Sequence, residues 1–197
     1  MIKILAATGN RHKVEEIASV LKPLGIELLS FKDLDMDPPE VVEDRDSFVG
    51  NAVKKAVEVA EATGMVCLAD DSGLVVDALN GEPGVYSARY AGIDADDLEN
   101  MNKLLENLRG VENRTARFTC CLAFAEPGRL IGTAEGFVSG KITETQHGTQ
   151  GFGYDPCFVP DGFDQTFAEL GPEVKDRISH RGNALRKAVE DGLFDTF

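Results

Sequence analysis

The sequence predicts an α/β domain built around a mixed β-sheet, and three observations carry that expectation. Short apolar runs, such as residues 2–7 and 66–69, stop abruptly at polar turns, as buried strands do. Between such runs, apolar residues recur at helical spacing, as in Val14, Ile17, Ala18 and Leu21. Residues 117–125 and 130–138 flank an EPGR turn, which adds an antiparallel pair to an otherwise alternating order of strands and helices.

In chain order, residues 2–7 form the first strand, and the helix after them ends at Pro23 to Gly25. Residues 26–29 are a second strand. Residues 31–46, acidic and carrying Pro38 and Pro39, are a loop. Val49, Ala52, Val53, Ala56, Val57 and Ala60 share the face of a second helix, stopped by Gly64. Residues 66–69 are a buried strand running into an Asp70–Asp71–Ser72–Gly73 turn, and residues 74–79 are strand-like. A Gly-rich loop, NGEPGVYSARYAG, follows. Leu98, Met101, Leu105 and Leu108 mark a third helix ended by Gly110. Beyond the hairpin, residues 148–160 are loop and short strand, and Ala184, Leu185, Ala188 and Val189 mark a closing helix after SHRG. No internal repeat, low-complexity tract or linker interrupts this order.

At 197 residues and 43% hydrophobic content the chain can bury a substantial core, most simply as one domain over residues 1–197. Met1 leads straight into strand-like sequence, so no leader is expected, and no apolar run approaches the roughly 20 residues of a membrane span. The expectation is a cytoplasmic protein. Four cysteines, Cys67, Cys120, Cys121 and Cys157, form no CxxC pair and sit in apolar contexts, as reduced core thiols do. With 34 acidic against 20 basic residues the net charge is −14, which argues against binding a nucleic-acid polymer. A small anion remains open to it if metal and a few placed cations overcome that field.

Three polar clusters interrupt the core pattern. In TGNRHK, where a strand enters a helix, Gly9 lets a ligand approach the backbone, Thr8 and Asn10 offer hydrogen bonds, and Lys13 adds a charge beside the helix amides. The same residues also read as a plain N-cap with Lys13 in solvent; the P-loop pattern GxxxxGK[ST] is absent. In ADDSG, adjacent carboxylates on an extended backbone face opposite ways, so one can meet a ligand while the other bonds the frame. Such a carboxylate suits Mg²⁺ or the orientation of a water, and an acidic turn is the alternative. The third cluster joins GTQGFGYDP to KDRISHRG: Phe152, between glycines, reads as a stacking surface for a base or as core, and Lys175, His180 and Arg181 are donors, His180 alternatively a cap or surface residue. Together these are the parts of a nucleotide site.

The chain closely resembles the inosine triphosphate pyrophosphatase family. The resemblance runs through TGNRHK at 8–13, NAVKKA at 51–56, LADDSGLVVDAL at 68–79, GEPGVYSARYAG at 81–92, GFGYDPCF at 151–158 and SHRGNAL at 179–185. It implies an α/β fold of two lobes around a long mixed β-sheet with flanking helices, the active site in the cleft between the lobes, and a homodimer. The implied reaction is Mg²⁺-dependent hydrolysis of non-standard purine nucleoside triphosphates (ITP, dITP, XTP) to the monophosphate and pyrophosphate. Carried over residue by residue, Thr8, Gly9, Asn10, Arg11, His12 and Lys13 hold the triphosphate. Asp71 binds metal and accepts the proton of the attacking water, and Ser72 contacts substrate. Phe152, Gly153, Tyr154, Asp155, Lys175, His180 and Arg181 surround base and sugar. Lys55 and Arg89 are further phosphate candidates. Glu40, Glu43 and Asp44 each fit the family's second metal-binding acid; Glu40, just after the proline pair, is assigned to it.

Overall fold

Side-chain alternation along a few buried strands organises the molecule. The computed structural model describes residues 2–196, position 196 by its backbone alone. A six-stranded sheet has the order β2-β1-β3-β4-β5-β6. β1 (Ile2–Ala6) pairs in parallel with β2 (Ile26–Leu29) and with β3 (Cys67–Val76). β4 (Thr115–Glu126) and β5 (Arg129–Ile142) are sheet neighbours joined through Pro127 and Gly128, and β6 (Phe158–Pro160) runs antiparallel to β5. The sheet is therefore mixed, as the sequence predicts.

The chain divides into two compact units. The first comprises residues 1–71, 120–136 and 181–197. Here successive strand residues enter different cores, the signature of a sheet covered on both faces. Ile4, Leu68, Leu122 and Phe124 join Ile17 and Leu21 of α1 (Arg11–Leu21) and Ala184, Leu185 and Ala188 of α6 (His180–Glu190). Leu5, Cys67, Ala69, Cys121 and Ala123 instead join Ala52, Ala56 and Ala60 of α2 (Phe48–Thr63). The small residues on this second face let a helix pack close to the strands. α1 gives way to a 3-10 turn at Lys22–Leu24, and Gly25 takes the left-handed conformation (φ 72°) that closes it. Ser47 caps α2, accepting from Gly50 N, and Gly64 stops it at φ 69°.

The second unit comprises residues 72–119 and 137–180. Its core gathers Leu74 and Val76 of β3, Met101 and Leu104 of α3 (Asp97–Asn107), Phe118 of β4 and Phe158 of β6. A reciprocal box between Asp96 and Glu99 fixes the start of α3. Phe118 meets the Phe158 ring edge-on at 4.7 Å and stacks on His180 at 4.8 Å.

Three features differ from expectation. β3 does not break at Asp70: one strand runs from Cys67 to Val76, so the acidic pair lies inside it, not in a turn after it. Two short helices, α4 (Phe167–Leu170) and α5 (Pro172–Ile178), precede α6 where no helix is predicted. Within the expected loop at 31–46, Phe31–Leu34 form a 3-10 turn boxed by Ser30 and Asp33. All four cysteines are free and buried, and no described helix is long and apolar enough to cross a membrane.

Candidate functional site

The turn after β1 is built by its own side chains. Thr8 Oγ1 accepts from Asn10 N at 3.1 Å, and Asn10 Oδ1 accepts from Lys13 N at 3.2 Å, which makes Asn10 the N-cap of α1. A Cβ built on Gly9 meets no atom within 4 Å, so open space lies above that backbone. The remaining side chains of the turn separate. Arg11, 84% exposed, and His12 both lean on Glu15 along the outside of the helix. Lys13 turns inward: it is only 16% exposed, and its Nζ lies 2.6 Å from Asp70 Oδ1.

Asp70 is fully buried on β3 and receives several donors. Its Oδ2 accepts from Arg181 Nε at 2.7 Å and from the Cys120 thiol at 3.1 Å. Burial alone would raise its pKa, but the charges of Arg181 and Lys13 hold it well below the usual carboxylate range. Arg181, at 1% exposure, also donates from Nη1 to Glu16.

Asp71, the next residue, faces the side of α2. Burial pushes its pKa up to about 6; Lys55 pulls it back, Glu43 adds to the rise, and Lys13 lowers it. Lys55 is itself paired with Glu43, and Asn51 Oδ1 accepts from Arg45 N at 2.9 Å. Asp71 Oδ2 and Asn51 Nδ2 are buried without a hydrogen-bond partner. An orphaned carboxylate oxygen with a second carboxylate's charge in reach is a donor set that fits Mg²⁺, which binds through one or two carboxylates and otherwise keeps water or phosphate oxygens. Among the described residues no three His, Cys, Asp or Glu gather into a self-sufficient metal cage. Of the acids in the 40–44 loop, Glu40, the sequence assignment, is exposed, whereas Glu43 is half-buried and its charge reaches Asp71. Helix α2 fixes Lys55, Lys55 draws in Glu43, and Asp44 is taken by Lys54 at 2.9 Å.

In the second unit another group forms around Asp155. Its Oδ2 accepts from Phe152 N at 2.9 Å and from Lys175 Nζ at 2.6 Å, and the same ammonium stands 4.5 Å from the centroid of the half-buried Phe152 ring. Gly151 is required here: with φ 79°, a Cβ would collide with the Asp155 carboxylate. Gly153 N donates to Asp97 Oδ2 at 2.7 Å. Tyr154 lies in the core, its hydroxyl donating to Ser87 O at 2.8 Å, so it supports the loop from beneath. Arg89 lies over the Tyr86 ring at 5.2 Å, and Ser72 is half-buried.

Lys13, Lys55, Asp71 and Arg181 therefore fall together in the first unit, and Phe152, Asp155, Lys175 and His180 in the second. Sequence reasoning did not single out Glu16, Asn51 or Cys120. Glu16 carried a signal, standing three residues after Lys13 on one helix face, and Asn51 opens the NAVKKA stretch of the resemblance.

Comparison with known proteins is extensive. A model of the Ham1 family matches residues 4–191. A dITP/XTP pyrophosphatase of Desulforamulus reducens is 52% identical over 191 residues, 96% of this chain and 94% of that protein. One from Bacillus licheniformis is 49% identical, covering 95% and 96%. The structure of a HAM1 protein from Coxiella burnetii superposes with a TM-score of 0.86 at 38% identity over the whole of both chains. That of the Staphylococcus aureus Ham1 protein gives 0.83 at 38%, covering 96% and 98%.

Proposed function

This chain belongs to the Ham1 family, and from that premise we propose that it hydrolyses non-standard purine nucleoside triphosphates (dITP, ITP and XTP) to the monophosphate and pyrophosphate. The observation that carries the reading is the Asp71 carboxylate, buried, with one oxygen unbonded and its pKa raised to about 6. Without metal such a group is a carboxylate at neutral pH, as a proton acceptor and a metal ligand must be. It holds and deprotonates the water that attacks the α phosphorus. Lys13 and the first-turn amides of α1 take up triphosphate charge, and Lys55 adds a second cation. Asp71 and Glu43 would hold Mg²⁺, which supplies charge neutralisation on the phosphate oxygens.

Base choice falls to the second unit. The Phe152 ring offers a face for stacking. The Lys175 ammonium stands beside that ring, and a cationic donor matches a 6-oxo purine where adenine presents an amino group. A cytoplasmic homodimer acting on free nucleotides is the form this reading implies. The test is incubation with Mg²⁺ and dITP, with dATP as control. Pyrophosphate and dIMP from dITP are expected, with dATP largely spared; orthophosphate release or no turnover overturns the reading.

A further inference from the structure

Lys13, Asp70, Arg181 and Glu16 form a chain of alternating charge, each paired with the next. Lys13 and Glu16 lie three residues apart on α1, one turn of the same face, so a single helix supplies both ends. Between them stand Asp70 on β3 and Arg181 at the start of α6. The oxygens of Asp70 are divided: Oδ2 takes Arg181 Nε at 2.7 Å and the Cys120 thiol, while Oδ1 takes Lys13 Nζ at 2.6 Å. Arg181 Nη2 also donates to Oδ1, at the longer distance of 3.4 Å, and Nη1 donates to Glu16.

We infer that Glu16 is a positioning residue for phosphate binding, acting through Arg181 and Asp70 on Lys13. A guanidinium facing a lone carboxylate closes on both oxygens as a fork. The pull of Glu16 on Nη1 keeps the fork uneven, long at Oδ1, so that Oδ1 makes its short contact with Lys13. The ammonium, fixed by one bond to Asp70, presents its other donors already oriented, and substrate binding then costs less ordering of a flexible side chain. Cys120 fixes the far oxygen and so keeps the carboxylate from rotating.

This rests on Lys13 being a phosphate ligand, as proposed above, and its test has two separate arms. Inorganic tripolyphosphate is titrated calorimetrically into wild type, Glu16→Ala, Glu16→Gln, Lys13→Ala and the Glu16→Ala/Lys13→Ala double variant, each first checked by thermal melting. Glu16→Ala should bind about tenfold more weakly, Glu16→Gln about threefold, since it keeps an acceptor for Arg181, and the double variant no more weakly than Lys13→Ala alone. A bare field effect has the opposite sign, because removing a negative charge near an anion tightens binding, and by the same factor in both Glu16 variants. Tighter or unchanged binding, equal effects of Ala and Gln, additive losses, or no binding by wild type overturns the inference. So does a Glu16→Ala protein that no longer melts cooperatively while Lys13→Ala does. In the second arm, wild type that binds tripolyphosphate but releases no pyrophosphate from dITP overturns the functional reading and leaves the positioning intact.

Discussion

Asp70 and Asp71 are consecutive in one strand and point to opposite faces of the sheet. Asp70 meets Lys13 of α1 and Arg181 of α6, while Asp71 meets the field of Lys55 on α2. The two-residue period of an extended chain thus separates two carboxylates that would repel each other if they shared a face. It also divides their chemistry. Asp70, saturated with cations, is a fixed anion; Asp71, desolvated and only partly compensated, is the one with proton affinity near neutrality.

The raised pKa of Asp71 makes its role visible in stability as well as rate. In the unfolded chain the group titrates near 3.8, and in the folded protein near 6. The folded state therefore binds the extra proton between those values, and its stabilising share is full below the lower one and lost as pH rises through the upper one. Asp71→Asn should erase this dependence. At pH 8 without metal the variant should be more stable than wild type by on the order of 2–3 kcal/mol, with the gap closing toward pH 4. Its turnover of dITP should fall by roughly 10²–10⁴-fold. Urea unfolding of both proteins across pH 4 to 8 checks the first part; equal curves would remove the desolvated carboxylate from the argument.

The identity of the second acid can be settled by a pair of isosteric changes. Glu43→Gln should raise the Mg²⁺ concentration for half-maximal turnover, and should lower kcat, at least about tenfold more than Glu40→Gln does. Turnover against Mg²⁺ concentration for the two variants is the measurement. A larger effect at position 40 would restore the assignment made from sequence.

Much of this was legible in the sequence. Apolar runs ending at polar turns gave the strands, helical spacing gave α1, α2, α3 and α6, and the alternation of an extended backbone foretold the opposed directions of Asp70 and Asp71. Where β3 ends was not legible, because a buried Asp looks like a turn residue until Lys13 and Arg181 are known to meet it. Nor was the choice of Glu43, since spacing within a loop does not say which acid folds back on Lys55. The N-cap reading of TGNRHK holds for one residue and fails for another: Asn10 caps α1, whereas Lys13 is turned inward to Asp70 and not into solvent. The seven residues of α5 are too few to display a helical period.

The Asp155–Lys175 pair is almost wholly buried, 2.6 Å apart, and supports the Phe152 loop. Asp155→Asn should destabilise the protein by about 3–5 kcal/mol by leaving the ammonium without its counter-charge. Adding Lys175→Met, a flexible apolar chain against Phe152 and Phe167, should recover most of that loss. Thermal melts of the single and double variants decide it; losses that simply add would mean the pair is not the unit that matters.

Arg181 carries two expectations that a substrate panel separates. The resemblance places it at the base, but its guanidinium is buried between Asp70 and Glu16. Arg181→Ala takes from a fully buried carboxylate one of the two cations that hold it charged, so a loss of about 3–5 kcal/mol in stability is expected. Arg181→Lys should lose nearly as much, because an ammonium cannot reproduce a fork that spans two acids. If Arg181 works only by fixing this frame, both variants should lose activity on ITP and on ATP by the same factor. Measuring kcat/KM for the two nucleotides below the melting range checks this, and a preference for ITP that narrows in either variant would put Arg181 back among the residues that read the base.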